Sequence, residues 1–471
     1  MKYFLQLNRV PNLVLVLLAA AAPQAVYGDS VQPGAREDSI ASCIQAFEEA
    51  AQRSQDEGVL EEFIERFERD HCASSFITAT SSEERRALLA QILDITRTAT
   101  ASEVTISPLW VRIELYLPNE VYEVTFTTQD ESPFAITSLA VENVTNSRPS
   151  YTLTADNLSE TFKELEKDGF SGVVHVRKNG KVLLQEAYGM ANVEFGYPVK
   201  CDTVFGIGST PMDFTLMSIF LLEQRGRIDR DDALSKYFEN VPEDKQNITI
   251  RQLISGESGL PDFFETEDDW DPDLAYIDRK TAEDRLFSQT LLFEPGSDSS
   301  HSHGAYGLLA SIIERVSGKD YYSFLKENFF DPAGMTRTAM NGGSMGLNLS
   351  EFAVGQGPVF FGLPNIPPNW GKTSWLVMGS GGMCSTMEDM LKFFALVRSD
   401  SVLKPPYNER FNLSGSSLNG SMRGAYLSHA YEGAGNEAIL MSNIDADSPR
   451  EGDLDEKIRA LVRALEVFVS E

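Results

Sequence analysis

Positive charge is scarce in this chain of 471 residues: 40 lysines and arginines stand against 70 aspartates and glutamates, a formal net charge of -30. A nucleic acid or an anionic membrane surface would meet net repulsion, which excludes both as partners. A solvated acidic surface is the simplest reading of that charge. Long apolar runs are nearly absent as well. The one marked run, NLVLVLLAAAAPQAV, has its apolar centre at residues 13–22, too short to span a bilayer comfortably. Lys2 and Arg9 lie before or at its start and small residues precede Asp29, the pattern of a secretory signal over residues 1–28. The mature chain is therefore expected to be secreted or periplasmic, with no membrane span after signal cleavage. Cysteine is sparse too. Cys43, Cys72, Cys201 and Cys384 allow three pairings in an oxidising compartment, and Cys43 with Cys72 is the expected one because both fall in the N-terminal helical region.

What is present is ordinary globular material, 42% hydrophobic and 10% aromatic. The length predicts two or three domains. Residues 38–143 form the first. Val59, Leu60, Phe63, Ile64 and Phe67 make a helical stripe, and SSEERRALLAQILDITR opens on a Ser81-to-Glu84 capping box. The period then changes to two: Val111, Ile113 and Leu115, then Val124 and Phe126, then Ile136. Helices followed by a small antiparallel sheet make an α+β domain, and this element order is similar to the NTF2-like modules that precede some secreted serine hydrolases. Residues 144–158 read as a linker.

The second domain, 159–471, opens on a hairpin whose turn is Asn179-Gly180, with His175 as an ordinary strand residue. It closes on the short strand NEAILMSN and an amphipathic helix with Ile458, Leu461, Val462, Leu465 and Phe468 inward. Strands at both ends around a helical middle predict one sheet built from both termini.

Within this domain the chain carries, in order, FSGVVHVRKNGKVLLQEAYG, FGIGS, ITIRQLISGESGLPDF, FEPG, YGLLASIIERVSGKDYYSFLKENFFDPAGMT and GSGGMCSTMEDMLKFF. Across residues 168–400 these stretches resemble the β-lactamase-related serine hydrolases, which include class C β-lactamases, penicillin-binding DD-peptidases and esterases. The resemblance implies an α/β fold: an antiparallel sheet flanked by helices plus an all-helical region, with the site in the groove between them.

It also implies three motifs, each altered here. The first is Ser-x-x-Lys at a helix N-terminus. Ser209 matches the nucleophile, and Pro211 suits the first helical turn. Met212 stands at the lysine position: it matches lysine in unbranched length but brings no titratable nitrogen, and a general base is worth about 100- to 10,000-fold in rate. The second motif is Tyr-x-Asn in a loop crossing the groove. Counted from FEPG, its positions are His301, Ser302 and His303. His301 in place of the tyrosine is a candidate base for Ser209, with a suitable unperturbed pKa but a shorter reach. The third is a Lys- or His-x-Gly strand beside the groove. In LSHAYEGAG, His429 and Gly433 are the candidates, and strands on this edge are expected to be shortened or lost.

His301 and His303, with His429 as a third, would also suit zinc; exposed loop histidines are the simpler reading, so no metal and no cofactor are expected. Glu257 reads as a surface turn residue, and the acidic run at 265–273 as a solvated loop. Three functions stay open: a non-catalytic or impaired family protein, a pseudoenzyme binding a small-molecule, peptide or peptidoglycan-like ligand in the groove; a divergent esterase or amidase using Ser209 with His301; and an interaction protein acting through its N-terminal domain.

Overall fold

The computed structural model describes residues 2–6, 35–51, 57–99, 101–106, 111–117, 120–129, 134–145, 149–264, 266, 269, 275–356, 363–413, 416–433, 435–444 and 453–471. The chain divides into two compact units, residues 1–149 and 150–471.

The first unit has helices α1 (Ala35–Ala51), α2 (Glu57–His71), α3 (Ser74–Ala79) and α4 (Ser82–Thr98). Its antiparallel sheet runs in the order β1 (Lys2–Gln6), β2 (Ala101–Ile106), β3 (Val111–Tyr116), β4 (Val121–Thr128) and β5 (Ile136–Asn143). The capping box starts α4 as its sequence predicts: the Glu84 amide donates to Ser81 Oγ at 3.2 Å, and the Ser81 amide donates to the Glu84 carboxylate at 2.8 Å. Val111, Leu115, Val124, Phe126 and Ile136 face Phe63, Ile64 and Phe67 in one core, so the period-two strands and the period-3.6 helix bury matching faces. Of the expected signal segment, only Lys2–Gln6 belongs to the described residues, paired with β2; the rest lies outside them.

The expected Cys43–Cys72 bridge is not made in this structure. Both are free thiols, Cys43 buried in the core and Cys72 half-buried. Burial raises both pKa values, that of Cys72 to about 12, which leaves little thiolate for exchange.

The second unit is built on a five-stranded antiparallel sheet. β6 (Gly172–Lys178) and β7 (Lys181–Tyr188) form the opening hairpin, with Asn179 and Gly180 at φ 52° and 76° as the turn demands. After them come the short strands β8 (Met190–Asn192), β9 (Tyr197–Pro198) and β10 (Phe205–Gly206), and a helical stretch. α5 (Leu158–Lys167) precedes the hairpin, and the helical stretch holds α6 (Pro211–Gln224), α7 (Ile250–Ser255), α8 (Arg279–Ser288), α9 (His303–Ser317), α10 (Tyr321–Leu325) and α11 (Asp331–Ala333). β11 (Ala339–Met340), β12 (Met383–Ser385) and α12 (Met387–Arg398) lead to the C-terminal strands β13 (Ser416–Met422), β14 (Ala425–Tyr431) and β15 (Glu437–Ser442). The chain ends in α13 (Asp453–Ser470).

The sheet order β13-β14-β15-β6-β7 joins strands from both ends of the unit, as the sequence predicts. Its two faces separate by residue parity. Val174, Val176, Leu184, Ala438 and Leu440 pack against Phe162 and Leu165 of α5 and against Ile458, Leu461 and Leu465 of α13. Val173, Leu427, Ile439 and Met441 instead join the larger core, which holds α6, α9 and α12. The C-terminal edge carries three strands, β13, β14 and β15, where shortened or lost strands are expected. The β13 segment SSLNGSM contains no β-branched or aromatic residue, so its composition reads as a loop.

Candidate active site around Ser209

Ser209 sits on the turn between β10 and α6, partly exposed. Pro211 takes the first helical position, and the Met212 amide donates to the Ser209 carbonyl at 3.0 Å to start the helix. The turn presses on β13. Gly208, at φ 50°, has no room for a side chain: a Cβ there would lie 2.2 Å from the Gly420 carbonyl carbon and 2.3 Å from the Ser421 nitrogen. A Cβ on Gly420 would in turn lie 2.6 Å from the Ser209 nitrogen. The glycine-to-glycine contact thus lays β13 against the turn that carries Ser209.

This contact corrects the reading of the third motif. Gly420, in Leu418-Asn419-Gly420, is the glycine beside the nucleophile, and neither His429 nor Gly433 holds that place. His429 lies on β14 and is 4% exposed. Arg398 Nη2 lies 3.1 Å from its Nε2, Glu437 lies 3.6 Å from the same nitrogen, and the Phe394 ring centroid is 4.0 Å away. Burial pushes the His429 pKa down to about 4, so the ring accepts from the guanidinium in its neutral form. Burial opposes ionisation of Glu437, yet the charge and hydrogen bond of Arg398 hold its pKa down to about 2. Arg398 donates to Glu437 at 2.7 Å and lies 3.5 Å over the Tyr431 ring. His429 is part of a buried structural cluster, not of a substrate groove. His175 belongs to the same sheet, buried on β6 with Nδ1 3.2 Å from Gln185 Oε1, as an ordinary strand residue would be.

Met212 is 5% exposed, so the lysine position of the first motif is filled and sealed by a thioether. The next residue was missed in the sequence. Asp213, four residues after Ser209 and half-buried, has its pKa raised to about 6 by burial, against the pull of Arg410 and Arg398. The signal that would have found it is the i, i+4 spacing.

His301 and His303 do come together, with ring centroids 4.9 Å apart and nearly perpendicular. His303 is the better held. Its Nδ1 lies 2.7 Å from Asp262 Oδ1, its backbone amide donates to the same oxygen at 2.8 Å, and Phe263 stacks on its ring at 4.3 Å. Ser302 caps α9 through its Oγ, which accepts from the Ala305 amide, and donates to the Pro261 carbonyl at 2.7 Å. His301 keeps an exposed edge; partial burial and the neighbouring His303 lower its pKa, while Asp262 raises it. α9, which starts at His303, packs on α6. Asp262 is 41 residues from His303 in the sequence, so no local pattern could have announced the pair.

Glu257 accepts from Ser255 Oγ at 2.7 Å in a surface turn. In the acidic run only Thr266 and Asp269 lie among the described residues, and Asp269 is buried against Arg285 rather than solvated. Among the described residues no helix is long and apolar enough to cross a membrane.

With this geometry in place, the comparisons with known proteins are consistent with one another. The sequence model described as Beta-lactamase matches residues 158–435. A penicillin-binding protein of Bacillus subtilis is 30% identical over 271 residues, 54% of this chain and 59% of its own length. The D-aminopeptidase of Brucella anthropi is 30% identical over 239 residues, 49% of this chain and 44% of its own. The chain therefore spans about half the length of these curated relatives. Among solved structures, FmtA of Staphylococcus aureus superposes with a TM-score of 0.53 at 20% identity, covering 68% of this chain and 93% of that one. The β-lactamase/D-alanine carboxypeptidase of Yersinia pestis gives 0.54 at 18% identity, covering 66% and 100%. At such identities the structural likeness speaks for the fold. With the family match over residues 158–435 and Ser209 at the head of α6, the chain belongs to the β-lactamase-related serine hydrolase family.

Proposed function

We propose that this is an exported member of the family that holds a small-molecule or peptide-like ligand, of the acyl-amino-acid type, beside Ser209, with catalysis impaired. The observation that carries the reading is Met212. A buried thioether occupies the place where the family keeps its lysine, and it can accept no proton from the Ser209 hydroxyl. The binding half of the site is retained: Ser209 is accessible, and β13 lies against it through Gly420. Relatives named for penicillin binding and for aminopeptidase activity support a ligand of that type.

The test is covalent labelling. The full chain is incubated with a fluorophosphonate probe and assayed on chromogenic ester and β-lactam substrates, with Ser209→Ala alongside. Binding of a β-lactam or D-amino-acid peptide without labelling supports the reading. Labelling and turnover lost in Ser209→Ala would replace it with the second reading, an ester or amide hydrolase using an imidazole base. One observation favours that alternative: Asp262 orients His303 as carboxylates orient catalytic histidines.

A further inference from the structure

We propose that Asp262, His301 and His303 form a site for one divalent transition-metal ion of the zinc class, with a coordination position left open to water. The inference does not rest on the groove reading.

Two of the chain's five histidines fall within three residues of sequence. The fold brings a carboxylate to them from the loop after α7. One potential ligand atom from each of the three residues lies within 4.8 Å of the others. Among the described residues this is the group of metal-ligating side chains that meets such a spacing. A tetrahedral ion with bonds of about 2.0–2.1 Å needs donors roughly 3.3 Å apart. The trio would reach that spacing by side-chain rotation, Asp262 and His303 opening from their 2.7 Å hydrogen bond and the exposed His301 closing on them.

The backing of the site is already rigid. The side chain of Asp262 is 1% exposed and held to the His303 backbone amide at 2.8 Å. Its carbonyl accepts from the Gly304 amide at 2.9 Å, and Ser302 Oγ ties the neighbouring Pro261 carbonyl to the same loop. Phe263 fixes the plane of the His303 ring by stacking. A buried carboxylate, an oriented imidazole and a second imidazole at the surface leave one open side, the arrangement of metal sites that keep a water. Two imidazoles with one carboxylate suit zinc and its first-row neighbours and disfavour magnesium and calcium, which require oxygen ligands. A net charge of -30 draws cations to the whole surface but provides no imidazole, so the trio is distinguished by ligand type.

The experiment is calorimetric titration of the EDTA-treated, dialysed full chain with zinc chloride in a non-chelating buffer. One tight zinc per chain is expected, unaffected by excess magnesium. His301→Ala, an exposed position, should weaken that binding at least about tenfold while the far-ultraviolet circular dichroism stays unchanged. Cobalt in place of zinc should give visible absorption bands that weaken in the same variant. His303→Gln provides a second removal; if it fails to fold, His301→Ala still decides. Absence of zinc uptake overturns the proposal. So does His301→Ala binding zinc as tightly as the unaltered chain, which would assign the uptake to the acidic surface. Displacement by equimolar magnesium overturns the class of ion.

Discussion

Gly208 and Gly420 meet backbone to backbone, so close that a Cβ on either would overlap the other strand's main chain. This contact is what seats β13 against the nucleophile turn. A methyl group there has only backbone to push on, and backbone does not yield as a flexible side chain does. Gly420→Ala is expected to destabilise the chain by roughly 1–3 kcal/mol, the usual cost of overpacking. Urea denaturation measures the loss.

Met212→Lys tests how much of the old chemistry survives. A lysine at a site that is 5% exposed would be desolvated, which lowers its pKa and favours the neutral amine that can take a proton. If the Ser209–Gly420 contact is a working half-site, this one substitution should raise the rate of fluorophosphonate or β-lactam acylation at Ser209 by about 100-fold or more. Stopped-flow labelling reads the rate, and an inert variant would mean that the oxyanion donors are misplaced as well.

Asp213 has a folded pKa raised to about 6, well above its unfolded value. The sign is that of a buried acid: the native state resists ionisation, so this group lowers stability as pH rises through that range and the deficit is complete above about 6. Asp213→Asn is therefore expected to stabilise the chain at pH 7.5 by roughly 1–3 kcal/mol, with the gain shrinking as pH falls from about 6 and gone only below the unfolded value of 3.8, where both states are protonated. Melting temperatures of the pair across that range give the answer.

His429 behaves in the opposite direction with pH. Its folded pKa, pushed down to about 4 by burial, lies below the unfolded value, so the unfolded state binds a proton first. Its contribution to stability is fully present above about pH 6.5 and is lost as pH falls toward 4. Glu437, held down to about 2, adds a second loss at lower pH, from about 4.5 downward. His429→Gln should flatten the upper part of that acid limb in a thermal-melt series.

Arg398→Met leaves Glu437 with one guanidinium partner, Arg177 at 2.8 Å, in place of two. Because Arg177 still compensates the charge, the cost should fall below the about 3–5 kcal/mol of a fully unpaired buried carboxylate. Arg398→Met with Glu437→Gln together should recover much of that loss in the same denaturation assay.

The elements that could be read in advance are those whose chemistry is local. Asn179-Gly180 fixes a hairpin by its own dihedrals, Ser81 and Glu84 fix a helix start within one turn, and the stripe from Ile458 to Phe468 fixes which side of α13 is buried. β13 was invisible because serine, asparagine and glycine carry no strand preference; pairing with β14 makes it a strand. The site divides in the same way. Ser209 and Met212 lie within one helical turn and could be placed. The partners of the histidines could not: Asp262 reaches His303 across 41 residues, and Arg398 reaches His429 across 31. His429 was misassigned because a histidine in a glycine-rich stretch looks accessible, whereas the pleat of β14 turns it into the core.

The strand order has a further consequence for how the molecule is made. β15 lies in the middle of the sheet, yet of the sheet's five strands it is the last to be synthesised, and its Glu437 meets Arg177 of β6 across 260 residues. The hairpin of β6 and β7 must wait with one edge unpaired while the whole helical stretch is synthesised and threaded out. Closing so long a loop late is entropically slow, and an open edge is the kind of surface on which chains aggregate. A chain that stopped anywhere before residue 437 would lack the centre of its sheet, not merely its rim.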